Sequence, residues 1–410
     1  MQSCVGGQIG DKMTKDVAAQ YEAYPYPERD PADEAKRLIT GSPSFPQEMD
    51  HYLWGGRRDW TKPLRILVAG GGTGDGSIQL CQILTTAGRP YHATYLDLSR
   101  TARAIAEERA RVRALTNIEF HTGTLLNAAD LGEFDYIDCC GVLHHLSEPA
   151  VGLQALVAAL ASGGGLGLMV YAPHGRSGVY ALQNAFSRLT RGQTPAQKLE
   201  LAKAVFPQVP KGHPFSSNPH LVDHKASDAG FFDLLLHSSD RPFTISEFDH
   251  LLSLAGLELA GVPEPGLYDP RGFLSDPTPL EGLTRIESMQ LAEDLRGTMK
   301  THTIYAKTVG SSVPPPFGKP FAVPKLRGTD PRKLAGAVAK SGTIRLSSQG
   351  QTQTVKVPSS ASGAIERING RRNLDAIRSD LGLDQFAFNA LWTPFERALT
   401  SHGLLHYSAI

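Results

Sequence analysis

The chain is poor in cysteine. It has four in 410 residues (Cys4, Cys81, Cys139 and Cys140), with no C-x-x-C pair and no metal-ligand spacing. That excludes a disulfide framework and a structural zinc, and makes a reducing cytoplasm the expected compartment. Neither charge is in excess, since 41 Lys plus Arg balance 41 Asp plus Glu, so the whole molecule has no strong pull towards polyanions. The N-terminal region lacks a long apolar run behind basic residues, which argues against a secretory signal. Residues 149–173 carry no Asp, Glu, Lys or Arg, yet Ser162-Gly163-Gly164-Gly165 interrupts them with a turn signal that no spanning helix would want. No membrane segment is expected, and no internal repeat is visible.

What is present is an ordinary globular composition, 41% hydrophobic and 20% charged, long enough for two or three domains. Apolar runs alternate with helical patterns. Strands are expected at Leu64–Ala69, Tyr91–Leu96, Ile118–His121, Phe134–Cys140 and Leu166–Tyr171, with helices between them, including Thr101–Ala114 and Ala150–Ala161. This alternation predicts an α/β fold with a parallel sheet covered on both faces. Residues 174–240, rich in His, Pro and Ser, read as a cap inserted over the sheet edge. The sheet pattern resumes with a helix at Ile245–Ala255 and strands near Leu257–Val262 and Thr303–Thr308, with a second insertion between those strands. Ser311–Pro324 packs five prolines into fourteen residues and reads as a linker. From Gly318 onward 13 basic residues face six acidic ones, against a net acidic remainder. This tail, with a hairpin at 343–357 and three helical patterns after it, resembles a small α+β winged-helix domain. The expected units are an arm (1–62), a sheet domain (63–310), the linker (311–324) and the tail (325–410).

The most informative residues are Gly70-Gly71-Gly72-Thr73-Gly74-Asp75-Gly76, between the first strand and a helix. Glycine there lets the backbone turn tightly and approach a ligand. The spacing is G-x-G-x-G; the dinucleotide fingerprint G-x-G-x-x-G fails at its sixth position, and the phosphate-gripping Gly-Lys-Ser/Thr ending is absent. Asp97 ends the second strand, in Tyr95-Leu96-Asp97-Leu98-Ser99, where a carboxylate accepts from both hydroxyls of a ribose. A nucleoside without a pyrophosphate suits this pair, and S-adenosyl-L-methionine is such a ligand.

On these residues, and on Ile66–Gly74 and Phe134–Pro149 with its Leu-His-His-Leu-x-x-Pro ending, the segment 63–173 resembles the Rossmann-like class I S-adenosylmethionine-dependent methyltransferases. The resemblance implies cofactor contacts from Gly70, Gly71, Gly72, Gly74, Asp97 and Leu98, from Thr124 and Leu125 at the adenine, and from Gly141 and Val142 near the sulfonium. Many members carry an acid two residues before the first glycine. Here Val68 stands in that place, so Asp75 or Tyr24 is expected to serve the methionine end. His144 and His145 are adjacent, with no third ligand spaced around them, and read as cofactor-side or capping residues rather than a metal pair.

Tyr21-Glu22-Ala23-Tyr24-Pro25-Tyr26-Pro27 resembles the tyrosine-proline segment preceding the catalytic domain in some bacterial methyltransferases, and would close over the cofactor. Tyr26, His144 and His237 are the candidate catalytic residues, because phenols and imidazoles beside an open methyl group orient or deprotonate a nucleophile. The architecture, with the stretch 233–244, also resembles rickettsial outer-membrane-protein lysine methyltransferases. The expected activity is direct methyl transfer to a protein side chain, such as lysine, or to a small molecule. The opposing reading is a non-catalytic binding protein. The tail is expected to serve recognition or homodimer assembly; its positive balance suits an acidic protein surface or a phosphate backbone.

Overall fold

The structure is a computed structural model that describes residues 17–311, 320–348 and 351–410. Cys4, most of the expected linker and the centre of the 349–351 turn lie outside the described residues.

Seven strands form one sheet in the order β3-β2-β1-β4-β5-β7-β6. They are β1 Leu64–Ala69, β2 Tyr91–Asp97, β3 Ile118–Thr122, β4 Phe134–Cys140, β5 Leu160–Tyr171, β6 Leu257–Gly261 and β7 Thr301–Thr308. The first five run parallel, and β7 is antiparallel to both β5 and β6. Alternation along β1 feeds two cores. Leu67 and Ala69 pack on one face with the helices at Pro149–Ala158 and Ile245–Leu254, while Ile66 and Val68 pack on the other with the helix at Asp75–Thr86. The strand order places the ends of β1, β4 and β5 side by side, where an open α/β sheet receives its ligand.

Two expectations about extent are corrected. The helix after β4 ends at Ala158, and β5 already starts at Leu160, so Ser162–Gly165 is strand rather than a turn. Its glycines answer to packing: a Cβ at Gly165 would stand 2.5 Å from the Leu53 side chain. Before β1, the helix Pro46–Trp54 buries Met49 and Leu53 against the sheet. The tail begins before residue 325: the Pro320 and Ala322 carbonyls accept from Asp375 and Leu374, and Pro324 opens a strand.

The expected cap is present. Helices at Val179–Leu189, Pro195–Val205 and Asp228–Leu235 share a core built on Phe186, Phe231 and Phe232. In the tail, β8 (Pro324–Leu326) pairs with β11 (Leu405–Tyr407), and β9 (Thr343–Ser348) forms the expected hairpin with β10 (Gln351–Lys356). Phe388, Leu391, Trp392 and Phe395 fill the tail's own core instead of reaching outwards, and Phe386 alone of that group is exposed, at 86%. The tail is also fastened to the helix Pro46–Trp54. Ser408 and Ala409 donate to the buried Asp50 carboxylate at 2.8 and 2.7 Å, Tyr407 N–H donates to His51 Nδ1, and Arg327 pairs with Glu48.

Candidate active site

The glycine loop leaves β1 and folds back on β2. Gly70 and Gly71 N–H groups both donate to the Leu96 carbonyl. Gly72 N–H donates to Asp97 Oδ2 and Ser99 N–H to Asp97 Oδ1, each at 2.8 Å. The Asp97 carboxyl is thereby fixed in orientation, and each oxygen keeps acceptor capacity. Burial pushes its pKa upward against those two bonds. The loop has no room for side chains: a Cβ on Gly71 would meet the Tyr95 ring at 2.3 Å, and one on Gly70 would meet Val142 at 2.3 Å.

Asp75 is spoken for. Arg29 grips it with two bonds of 2.9 and 2.6 Å, and the fully buried Arg109 adds a third at 2.8 Å. Burial alone would raise its carboxyl, and the two guanidiniums more than reverse that. The acid missing at Val68 has a counterpart one strand away. Asp138 on β4 is the register partner of Val68, fully buried, and accepts from Ser42 and Ser44. Its carboxylate lies 2.8 Å from where a Gly76 Cβ would stand, so it packs against the first turn of the helix that follows the loop. Tyr24 stacks on Phe232 of the cap at 4.9 Å.

The segment 21–27 lies across the loop. Thr73 donates to the Pro27 carbonyl, Ser99 to the Tyr21 carbonyl, and the Tyr26 carbonyl stands 3.1 Å from a Gly72 Cβ position. Beyond it, at the ends of β4 and β5, a buried polar cluster forms under the cap. Tyr21 donates to Asp233 Oδ1 at 3.0 Å, and Tyr171 donates to Asp233 Oδ2 at 3.2 Å. Tyr21 also lies 3.2 Å from His237 Nε2, and Arg176 pairs with Asp240 while covering the Tyr171 ring at 3.6 Å.

The histidine protons follow from their partners. A carbonyl only accepts, so His145 Nδ1 carries the proton given to Ser239 O at 2.8 Å, and in the neutral ring Nε2 is the nitrogen with the lone pair. His144 and His237 do the opposite: Nδ1 accepts a backbone N–H, from Tyr171 and Ser239, so each bears its proton on Nε2. Burial drives both well below the ordinary imidazole pKa. Burial likewise raises the Tyr21, Tyr171 and Asp233 groups. The sets His144/His145/Asp240 and His145/Asp233/His237 each bring potential ligand atoms within 4.8 Å. In both, one histidine already spends Nδ1 as an acceptor and carries its N–H at Nε2; that of His237 meets the Tyr21 hydroxyl in a hydrogen-bond chain, whereas that of His144 has no partner among the described residues.

Residues 67–166 match the methyltransferase domain family. That segment is a methyltransferase domain. The chain is 30% identical over 271 residues to an uncharacterised protein of a Synechococcus strain, a match covering 63% of this chain and 62% of that protein. The chain thus spans less than two thirds of the length of that curated relative. The fold resembles PKMT2 from Rickettsia typhi, with a TM-score of 0.62 and 15% identity over 91% of this chain and 77% of that one. The complex of the same protein with AdoHcy gives 0.60, at 14% identity.

The methyltransferase domain's residues fit the cofactor. The glycine turns, whose close packing on Tyr95 and Val142 admits no Cβ at Gly70 or Gly71, bring the backbone beside the oriented Asp97 and the adjacent ends of β1 and β4. The structure draws Gly70, Gly72, Asp97 and Val142 together. Leu98 follows Asp97 directly, Thr124 caps the turn after β3, and Leu125 is buried beside it. Gly141 takes a φ of 80° at the exit of β4, where its N–H donates to Met169 O. Of the candidate catalytic residues, His237 joins the polar cluster. His144 props the Tyr171 backbone, and the Nε2 lone pair lies on its neighbour His145. Sequence reasoning passed over Tyr21, Asp138, Tyr171 and Arg176 as actors, and read His145 only as a cofactor-side or capping residue. Tyr21 and Asp138 lay inside quoted motifs, but their partners come from more than 90 residues away.

Proposed function

We propose that the chain is an S-adenosylmethionine-dependent methyltransferase whose acceptor is an amine on a protein side chain, lysine being the best fit. The observation that carries the acceptor class is Asp233. It is a buried carboxylate whose only hydrogen-bond donors among the described residues are two phenols, with the His145 lone pair in the same cluster. An acceptor arriving as an ammonium ion supplies the missing positive partner. The bound cofactor supplies an electrophilic methyl group, so the protein works mainly by placement and exclusion of water.

In this reading Asp97 and the loop backbone hold the nucleoside, while Thr124, Leu125, Gly141, Val142, Leu98 and Tyr24 border the cofactor. His145 Nε2 takes the proton that an ammonium must lose before its lone pair is a nucleophile. Asp233 then faces the imidazolium instead of the ammonium, and the buried charge stays balanced. His237 holds Tyr21 in place, Tyr26 closes the roof, and His144 fixes Tyr171. Calorimetry with S-adenosylhomocysteine tests the cofactor half: no binding by the wild type sinks it. Incubating the enzyme and radiolabelled cofactor with a lysate of the source organism tests the acceptor. Label in lysine of protein bands supports the reading, label only in small molecules replaces it, and no label favours a binding protein.

A further inference from the structure

A second recess lies away from the buried cluster. It encloses about 1470 Å³ between the methyltransferase domain and the tail, well above the 300–1,000 Å³ usual for a small-molecule pocket. One wall carries Arg271, Arg285 and Lys307; the other is the helix Gln385–Ser401, with Thr393 and Arg397. Asp269 is the only carboxylate in the lining. Arg271 is shared with Asp269, and Lys307 lies 3.4 Å from Glu258, whereas Arg397 is exposed and forms no ion pair among the described residues. Pro394, inside the helix, has no N–H for the Ala390 carbonyl one turn earlier, and both residues line the recess.

The walls are held rigidly. A Cβ at Gly403 would stand 2.3 Å from the Pro263 carbonyl, and one at Gly266 would stand 2.9 Å from the Ser401 carbonyl, so the two units touch backbone to backbone. A preformed cleft binds without first paying for its own ordering.

We propose that this cleft is a docking groove for an extended acidic segment of a protein partner. The proposal rests on the reading that the acceptor is a protein. Size and cation excess both suit a carboxylate-rich strand. A polyphosphate chain would need a longer track of unpaired cations. Arg372 and Arg378 of the tail do not extend one, because they are paired with Asp380 and Asp375.

The test is fluorescence anisotropy with a labelled decaglutamate peptide, alongside a labelled oligothymidylate, at low and high salt. The wild type should bind the peptide. Arg397→Glu should weaken it about fivefold, the scale of one lost exposed charge contact. Thr393→Trp, which fills the groove without changing charge, should weaken it as well. Thermal midpoints establish that both variants fold, and S-adenosylhomocysteine binding should be unchanged in both. Peptide binding that is absent, or equal in all three proteins, overturns the proposal; so does tighter oligothymidylate binding lost with the same variants. Retained peptide binding without S-adenosylhomocysteine binding overturns the methyltransferase reading and leaves the groove standing.

Discussion

Each oxygen of Asp97 holds one backbone N–H, from Gly72 and from Ser99, so the carboxylate organises the glycine loop before any ligand arrives. Asp97→Ala should therefore weaken S-adenosylhomocysteine binding at least roughly tenfold, by losing both the acceptor and the loop's shape. Asp97→Asn should fall between, and calorimetry on the three proteins checks the order. Asp138 is a different kind of acid. It is sealed among Ser42, Ser44 and the helix start, and burial raises its pKa against the two hydroxyl bonds. Asp138→Ala leaves those hydroxyls only long 3.4 Å contacts with each other and with Tyr136, and should cost on the order of 1–3 kcal/mol in a denaturant titration. In the proposed mechanism, Asp233→Asn should spare cofactor binding while lowering turnover of an amine acceptor by tenfold or more, since the ammonium loses its counter-ion. Equal turnover by the variant would remove Asp233 from the acceptor site. At this scale the sequence was legible where the partners are close in the chain. The loop and Asp97 stand out because strand, glycines, helix and acid follow one another. The choice between His144 and His145 was not legible, since it depends on Tyr171 and Ser239, which only the fold brings near.

Strands declare themselves by continuous apolar runs, and β1, β2 and β4 fall within a residue or so of their expected places. β5 does not, because its glycines read as a turn when they in fact admit Leu53 and the Tyr136 hydroxyl against the strand. The helix Pro46–Trp54 was equally opaque, with little in its pattern to announce a partner in the tail. That contact contains two buried histidines in edge-to-face contact, His51 and His406, whose ring centroids are 5.5 Å apart. Burial depresses His51 to about 4 and His406 well below its ordinary value, and both His406 nitrogens lack hydrogen-bond partners. The unfolded chain takes up these protons below about pH 6.5 and the folded one does not. Stability is therefore full above that pH and is lost as pH falls towards 4; His51 alone accounts for on the order of 3 kcal/mol. Thermal midpoints should drop between about pH 7.5 and pH 5, and His406→Phe should shrink that drop while leaving the neutral-pH midpoint equal or higher. An unchanged drop would place the sensitivity in the other buried histidines.

At the scale of the whole molecule, the expected division into a body and a linked tail gives way to a tail clasped to the helix at 46–54. Asp50 accepts from Trp60 on its own side and from Ser408 and Ala409 across the junction. Truncation after Ser311 should therefore do more than remove a recognition unit. It strips two of the donors from a buried carboxylate and the guanidinium from Glu48, at a cost on the order of 3–5 kcal/mol readable as a lower denaturant midpoint. If the midpoint held, the junction would be a contact of convenience. The same clasp sets a clock on biosynthesis. Asp50 waits for a partner 359 residues downstream. At about 5–20 residues per second the ribosome takes roughly 20–70 seconds to deliver it. During that interval Asp50 and His51 are uncovered, and a chaperone has its longest opportunity to bind.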